Sequence, residues 1–207
     1  MKKRKDTNLY IAILVIGMLI FAFMTIYASS ASRKESSNIS AKAATLYEPE
    51  TGVFLFEKNA DLRLPMASTT KIMTALIAIE NTELDELVEI DPMAIGIEGS
   101  SAYLKPGDVI TMEELLYALL LQSANDAAVA IACYVGKDVS GFADMMNERA
   151  KVLKLTNTHF ENPHGLDDEN HYTTAHDLAI ISAEALKNDT FRRIASTYKK
   201  HFSNGFN

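Results

Sequence analysis

The 207-residue chain carries 20 Lys and Arg against 27 Asp and Glu, a net charge of −7, with 48% hydrophobic residues and one cysteine. Its length fits one domain around one core; the acidic balance argues against nucleic acid as a partner, and a single thiol excludes an intrachain disulfide. Cys133 falls in the apolar stretch 129–135 and reads as a buried structural thiol.

Lys2-Lys3-Arg4-Lys5 precede an almost unbroken apolar run from Leu9 to Tyr27. That run is longer than the usual hydrophobic core of a signal peptide and close to the roughly 20 residues that span a bilayer. Residues 1–28 are therefore expected to be a signal peptide or an N-terminal membrane anchor, with cleavage near Ala28-Ser29-Ser30-Ala31 and retention both open. Positive charges that precede an apolar run stay inside, so the rest of the chain is expected outside the cytoplasm, at the outer face of the membrane or in the cell wall. Without residues 1–28 it holds 16 basic and 26 acidic side chains, a charge of −10.

Residues 29–42, Ser-rich and charged from Arg33 on, read as a flexible linker, and 43–207 as the folded domain. Runs at 43–47 and 53–57 flank Glu48-Pro49-Glu50-Thr51-Gly52, the pattern of a β-hairpin. After Pro65, the residues Ile72, Ala75, Leu76 and Ile79 recur at helical spacing. Thr111-Met112-Glu113-Glu114 fits a capping box opening a helix to about residue 122. Ser123-Ala124-Asn125 interrupts the apolar pattern as a loop, and a helix resumes over 126–135 until Gly136, which suits a terminus. Ser140 is expected to cap a helix to about residue 155, with Met145 and Met146 as core filling. Thr174-Ala175-His176-Asp177 reads as a second capping box opening a helix to about residue 187, and a short helix follows over 190–196.

The chemistry lies in the spacing of Ser68 and Lys71. One helical turn takes about 3.6 residues, so the two side chains share a face, and a neutral lysine can take the proton of the serine without a histidine. An ordinary lysine titrates near 10.4, so Lys71 needs burial and nearby positive charge to act as a base; the neighbours Ile72, Ala75 and Leu76 favour burial. Alone, Ser-x-x-Lys is most often a surface helix start and Ser-x-Asn a cap. Together, after an export segment, Ser68-Thr69-Thr70-Lys71 and Ser123-x-Asn125 resemble the first two of three active-site motifs, S-x-x-K, S-x-N and K-T-G, of penicillin-binding proteins and serine β-lactamases. Tyr103-Leu104-Lys105-Pro106-Gly107-Asp108, the residues around Ser123 from Leu119 to Ala128, Asn162-Pro163-His164-Gly165-Leu166 and His171-Tyr172-Thr173-Thr174-Ala175 are similar to the low-molecular-mass D-alanyl-D-alanine carboxypeptidases of the peptidase S11 family. The likeness runs from about residue 43 to 202.

The resemblance implies an α+β fold of the β-lactamase/transpeptidase kind, here incomplete: N-terminal strands and the helical region, with the C-terminal strands of the sheet missing. Residues 198–202 would begin the third strand, and two strands alone would leave an open edge. Lys-Thr-Gly occurs nowhere, so the chain is expected to be an N-terminal piece of a longer protein or a truncated gene product, not competent as it stands. By the same resemblance Ser68 is the nucleophile that attacks the penultimate D-alanine, Lys71 the base, and Ser123 the proton relay to the leaving nitrogen. Asn125 binds the substrate amide and steadies Lys71, and the Ser68 backbone amide supplies half of an oxyanion hole. The implied partners are peptidoglycan stem peptides ending in D-Ala-D-Ala, β-lactam antibiotics and, through the N-terminal segment, a membrane.

No cofactor is implied. His164, His171 and His176 lie within 13 residues, yet no pair has metal-ligand spacing, so no metal is expected; Asn162-Pro163-His164-Gly165 reads as a loop below the active site. A serine β-lactamase is the enzyme alternative. Glu161-Asn162-Pro163-His164-Gly165 lacks the Glu-x-x-Leu-Asn arrangement that a class A enzyme needs for its deacylating water, so a penicilloyl adduct is expected to hydrolyse slowly. A non-catalytic exported cell-wall-binding fragment is the alternative outside enzymes.

Overall fold

A computed structural model describes residues 15–18, 20, 21 and 39–201. Most of the expected export segment, the linker up to residue 38, and Phe202 lie outside the described residues. The chain divides into two units, Met1–Ala41 and Lys42–Asn207. In the first, residues 15–18, 20 and 21 are helical with exposed side chains, and among the described residues no helix is long and apolar enough to cross a membrane.

The second unit opens with a hairpin of β1 (Ala44–Glu48) and β2 (Val53–Lys58). Ala44 lies opposite Lys58 and Glu48 opposite Val53, with a register irregularity between Leu46 and Tyr47. The turn closes because the Glu48 carboxylate accepts the N–H groups of Glu50 (3.0 Å) and Thr51 (2.7 Å), while Gly52 takes φ +73°, where a side chain would be strained. Phe54 of β2 stacks on His176 at 4.0 Å, with Tyr47 beside it at 4.6 Å, which docks the hairpin on the helix that bears His176.

Among the described residues six α-helices follow: α1 (Lys71–Asn81), α2 (Met112–Leu121), α3 (Asn125–Gly136), α4 (Val139–Val152), α5 (Ala175–Lys187) and α6 (Asp189–Ala195). Helix α3 is central. All residues from Asn125 to Ala132 are buried, and Ala127, Ala128, Ala130 and Ala132 leave room for α1, α2 and α4 to pack against it. The α3–α4 corner is closer still. A Cβ on Gly136 would stand 2.4 Å from the Phe142 nitrogen, and one on Gly141 2.4 Å from the Gly136 oxygen, so neither position admits a side chain without moving backbone.

Four sequence expectations need correction. Between α1 and α2 lies a second antiparallel pair, β3 (Leu87–Glu89) and β4 (Val109–Thr111), joined through buried Val88 and Ile110; three residues are too few for an alternating pattern to show. Helix α4 is capped by Asp138, whose carboxylate accepts from the Gly141 N–H at 2.7 Å, so it begins before Ser140. At Thr174 only half of the expected capping box forms: its hydroxyl accepts from Asp177 N–H, but the Asp177 carboxylate accepts instead from Asn157 N–H and Thr158 Oγ1. Residues 199–201 are not in a strand, and the Tyr198 ring is fully exposed. The box at Thr111 and Glu114 is reciprocal, as expected.

Candidate active site

The chain enters the site through a 3-10 turn, Ala67–Thr70, and the α-helix proper begins at Lys71. Ser68 is therefore carried by the tight turn, not by α1 itself. The turn starts from Ala67 at φ +45°, a conformation that costs a non-glycine residue about 1–2 kcal/mol. It is held open by a glycine from elsewhere: a Cβ on Gly165 would stand 1.8 Å from the Ala67 oxygen, so the carbonyl can lie there only because Gly165 has none. Ser68 reaches the surface while Lys71 is 2% exposed.

Lys71 Nζ has three partners: Ser68 Oγ at 3.3 Å, Asn125 Oδ1 at 2.7 Å and the His164 carbonyl oxygen at 2.7 Å. Two of these can only accept, so each keeps one N–H. When the ammonium loses a proton, the lone pair must then face Ser68 Oγ, the one partner that has a proton to give. Burial lowers the Lys71 pKa from its usual value to about 8, so roughly a tenth of it is neutral at pH 7, against about one in three thousand for an ordinary lysine. Burial is the cause; the positive neighbours expected from the sequence are not needed for it.

Ser123 sits in the short link between α2 and α3 at φ +55°, and its hydroxyl donates to Ser68 Oγ at 2.9 Å. Asn125, expected in a loop, is instead the first residue of α3. Its Oδ1 faces Lys71 and its Nδ2 donates to the Glu98 carbonyl at 2.5 Å, which fixes the orientation of the amide. Gly99 allows this approach, since a Cβ there would lie 2.8 Å from Asn125 Nδ2. The next residue, Asp126, is buried and accepts from Ser101 Oγ and from the N–H groups of Ala102 and Leu104. One carboxylate thereby ties the 101–104 stretch to the start of α3, beside Asn125.

The fourth wall is the segment 158–173. Two antiparallel bridges, Leu64 with Thr173 and His159 with Tyr172, bring it beneath the nucleophile turn. Thr74 of α1 donates to the Pro163 carbonyl at 2.6 Å, and the Asn162 side chain shapes the loop by accepting from Gly165 N–H at 2.7 Å and donating to the Leu166 carbonyl at 3.0 Å. The three histidines have separate partners. His164 Nδ1 accepts from Leu166 N–H, His171 bonds Thr70 and Glu161, and His176 stacks on Phe54. His164 is pushed down to about 4 by burial and then by the charges of Lys71 and His171, so both it and the lysine are held toward their neutral forms. The Glu161 carboxylate lies 3.5 Å from His159.

All four residues singled out in the sequence thus meet in one chain of contacts, Ser123–Ser68–Lys71–Asn125. Sequence reasoning missed the His164 carbonyl, Thr70, Thr74, His171 and Asp126. A backbone oxygen carries no residue signature, and Thr70, Thr74 and His171 announce themselves only through contacts some 90 to 100 residues apart.

This arrangement agrees with what comparison finds. The peptidase S11 profile, D-alanyl-D-alanine carboxypeptidase, matches residues 29–206. The D-alanyl-D-alanine carboxypeptidase DacF of Bacillus subtilis is 36% identical over 195 residues, covering 91% of this chain and 50% of the relative. DacC of Escherichia coli is 34% identical over 197 residues, covering 88% and 49%; the chain spans about half the length of these curated relatives. Among solved structures, the carboxypeptidase DacD from Francisella tularensis superposes with a TM-score of 0.74 at 35% identity, over 79% of this chain and 41% of that one. Penicillin binding protein 6B from Escherichia coli gives 0.77 at 29% identity, over 83% and 58%. With the profile match covering most of its length, the chain belongs to the peptidase S11 family of D-alanyl-D-alanine carboxypeptidases.

Proposed function

We propose that the protein is a serine-type D-alanyl-D-alanine carboxypeptidase that removes the terminal D-alanine from peptidoglycan stem pentapeptides through an acyl-enzyme on Ser68, and that β-lactams acylate the same hydroxyl. The observation that carries this reading is the Lys71 amine, buried, with two acceptor-only partners that leave its lone pair to Ser68. Lys71 takes the Ser68 proton as the oxygen attacks the penultimate carbonyl. Ser123, in reach of Ser68 Oγ, passes a proton to the departing D-alanine nitrogen, and Asn125 steadies Lys71 while offering its amide to the substrate. Water then cleaves the ester. The basic and apolar residues 2–27 support an exported protein held at or near the outer face of the membrane.

The β-lactamase reading is the weaker one, because fast deacylation needs a carboxylate beside the reacting water and the Glu161 carboxylate faces His159. A non-catalytic wall-binding domain is the alternative outside enzymes. Incubation with a fluorescent penicillin separates the two. The expected result is one covalent adduct per molecule on Ser68 of the full-length protein, lost in Ser68→Ala; a folded full-length protein that takes no label overturns catalysis and leaves binding.

A further inference from the structure

His171 makes its side-chain hydrogen bonds to Thr70 and Glu161 and to none of the four residues that carry the proposed chemistry, yet it is buried. Its ring is 2% exposed and stands edge-on to Phe160, centroids 5.9 Å apart. Nδ1 accepts from the Glu161 N–H at 3.0 Å, so the proton of the neutral ring sits on Nε2. Nε2 therefore donates to Thr70 Oγ1 at 2.8 Å. Thr70 lies between the nucleophile and its base, is 1% exposed, and makes no side-chain cap bond to its own helix. Its hydroxyl is held from across the fold.

The segment that ends in His171 also presents the His164 carbonyl to Lys71 and the bare Cα of Gly165 to Ala67. Of the hydrogen bonds that join this loop to the turn and to α1, at Thr70, Lys71 and Thr74, only the one at Thr70 is made between two side chains. We propose that His171 is a positioning residue for the Ser68–Lys71 pair: through the Thr70 hydroxyl it keeps the 161–171 loop seated under the turn, and so keeps water away from Lys71. The two bonds together need the neutral ring, because an imidazolium would still donate to Thr70 but would set a second N–H against Glu161 N–H. Burial favours that form and holds His171 down to about 4, against the opposing pull of Asp168 and Asp167 and with a smaller contribution from His159; His164 and Lys71 are the other titratable groups about the loop.

The inference rests on Ser68 and Lys71 being nucleophile and base, and its test reads Lys71 directly, without turnover. The midpoint of Lys71 is followed by NMR through its ε-methylene shift in the full chain held in mild detergent. Thr70→Val keeps the shape and removes the hydroxyl, Thr70→Ser keeps the hydroxyl, and His171→Gln removes the ring. Expected is a midpoint near 8 in wild type and in Thr70→Ser, raised by about one unit toward the ordinary lysine value in Thr70→Val and in His171→Gln as water reaches the amine. The double variant should show no further rise, since both changes break one bond. An ordinary midpoint in wild type overturns the base reading and this inference with it. A low wild-type midpoint that Thr70→Val leaves unmoved overturns the positioning role alone, and that variant decides if His171→Gln does not fold.

Discussion

A lysine can serve as base here only because three oxygen atoms surround its nitrogen and water does not. Two of those oxygens accept and never donate, so the geometry assigns the lone pair before any substrate arrives. The rate of acylation should then follow the neutral fraction of Lys71. Between pH 6 and pH 8 that fraction rises about fifty-fold for a group titrating near 8, and second-order acylation by a penicillin should rise with it and level off above. A flat profile over this range would show that some other group takes the proton. Lys71→Arg keeps the charge and cannot deprotonate; it should lose acylation at every pH by about a thousandfold or more, as general-base removal does.

At the scale of elements, the site is a junction of four segments, and each is held by a side chain that does no chemistry. Asp126 shows this best. Its two oxygens accept three bonds from the 101–104 stretch and a fourth from Ala127 N–H, and its neighbour Asn125 bonds the carbonyls of Glu98 and Ser100. Asp126→Asn replaces one acceptor with an NH2 that faces N–H groups, so urea unfolding should show a loss of about 1–3 kcal/mol, the usual effect of unpaired buried donors. An unchanged midpoint would mean that the loop is held by its own packing. What the sequence revealed follows the same division. The helix start at Thr111 was legible because its cap and its reciprocal glutamate are three residues apart, and the hairpin because Pro49 and Gly52 mark its turn. The Asp138 cap is masked by Ser140 because both residue types suit the position, and β3 with β4 are too short to have a period. Ser68, Lys71, Ser123 and Asn125 were legible as a spacing known from a family. Their supports were not, because a bond such as Thr70 to His171 spans 101 residues and depends on the fold being complete around it.

For the molecule as a whole, the loop under the site ties stability to pH. His164 and His171 both titrate near 4 in the folded protein, burial being the main cause, whereas an unfolded histidine titrates near 6.5. Their folded values are depressed, so between about 6.5 and about 4 the unfolded chain binds more protons than the folded one. Stability is then fully present above that window and falls as pH drops through it. The upper part of the window isolates the two rings, because the carboxylates of Glu48, Glu86 and Glu184 are held below their ordinary range and titrate lower. The urea midpoint should therefore fall between about pH 7 and about pH 5, with an uptake of up to two protons on unfolding, and the double substitution His164→Gln, His171→Gln should flatten that slope. If the slope persists in the double variant, the acid sensitivity belongs to other groups, and the burial of the two rings is not what links the 161–171 loop to the stability of the fold.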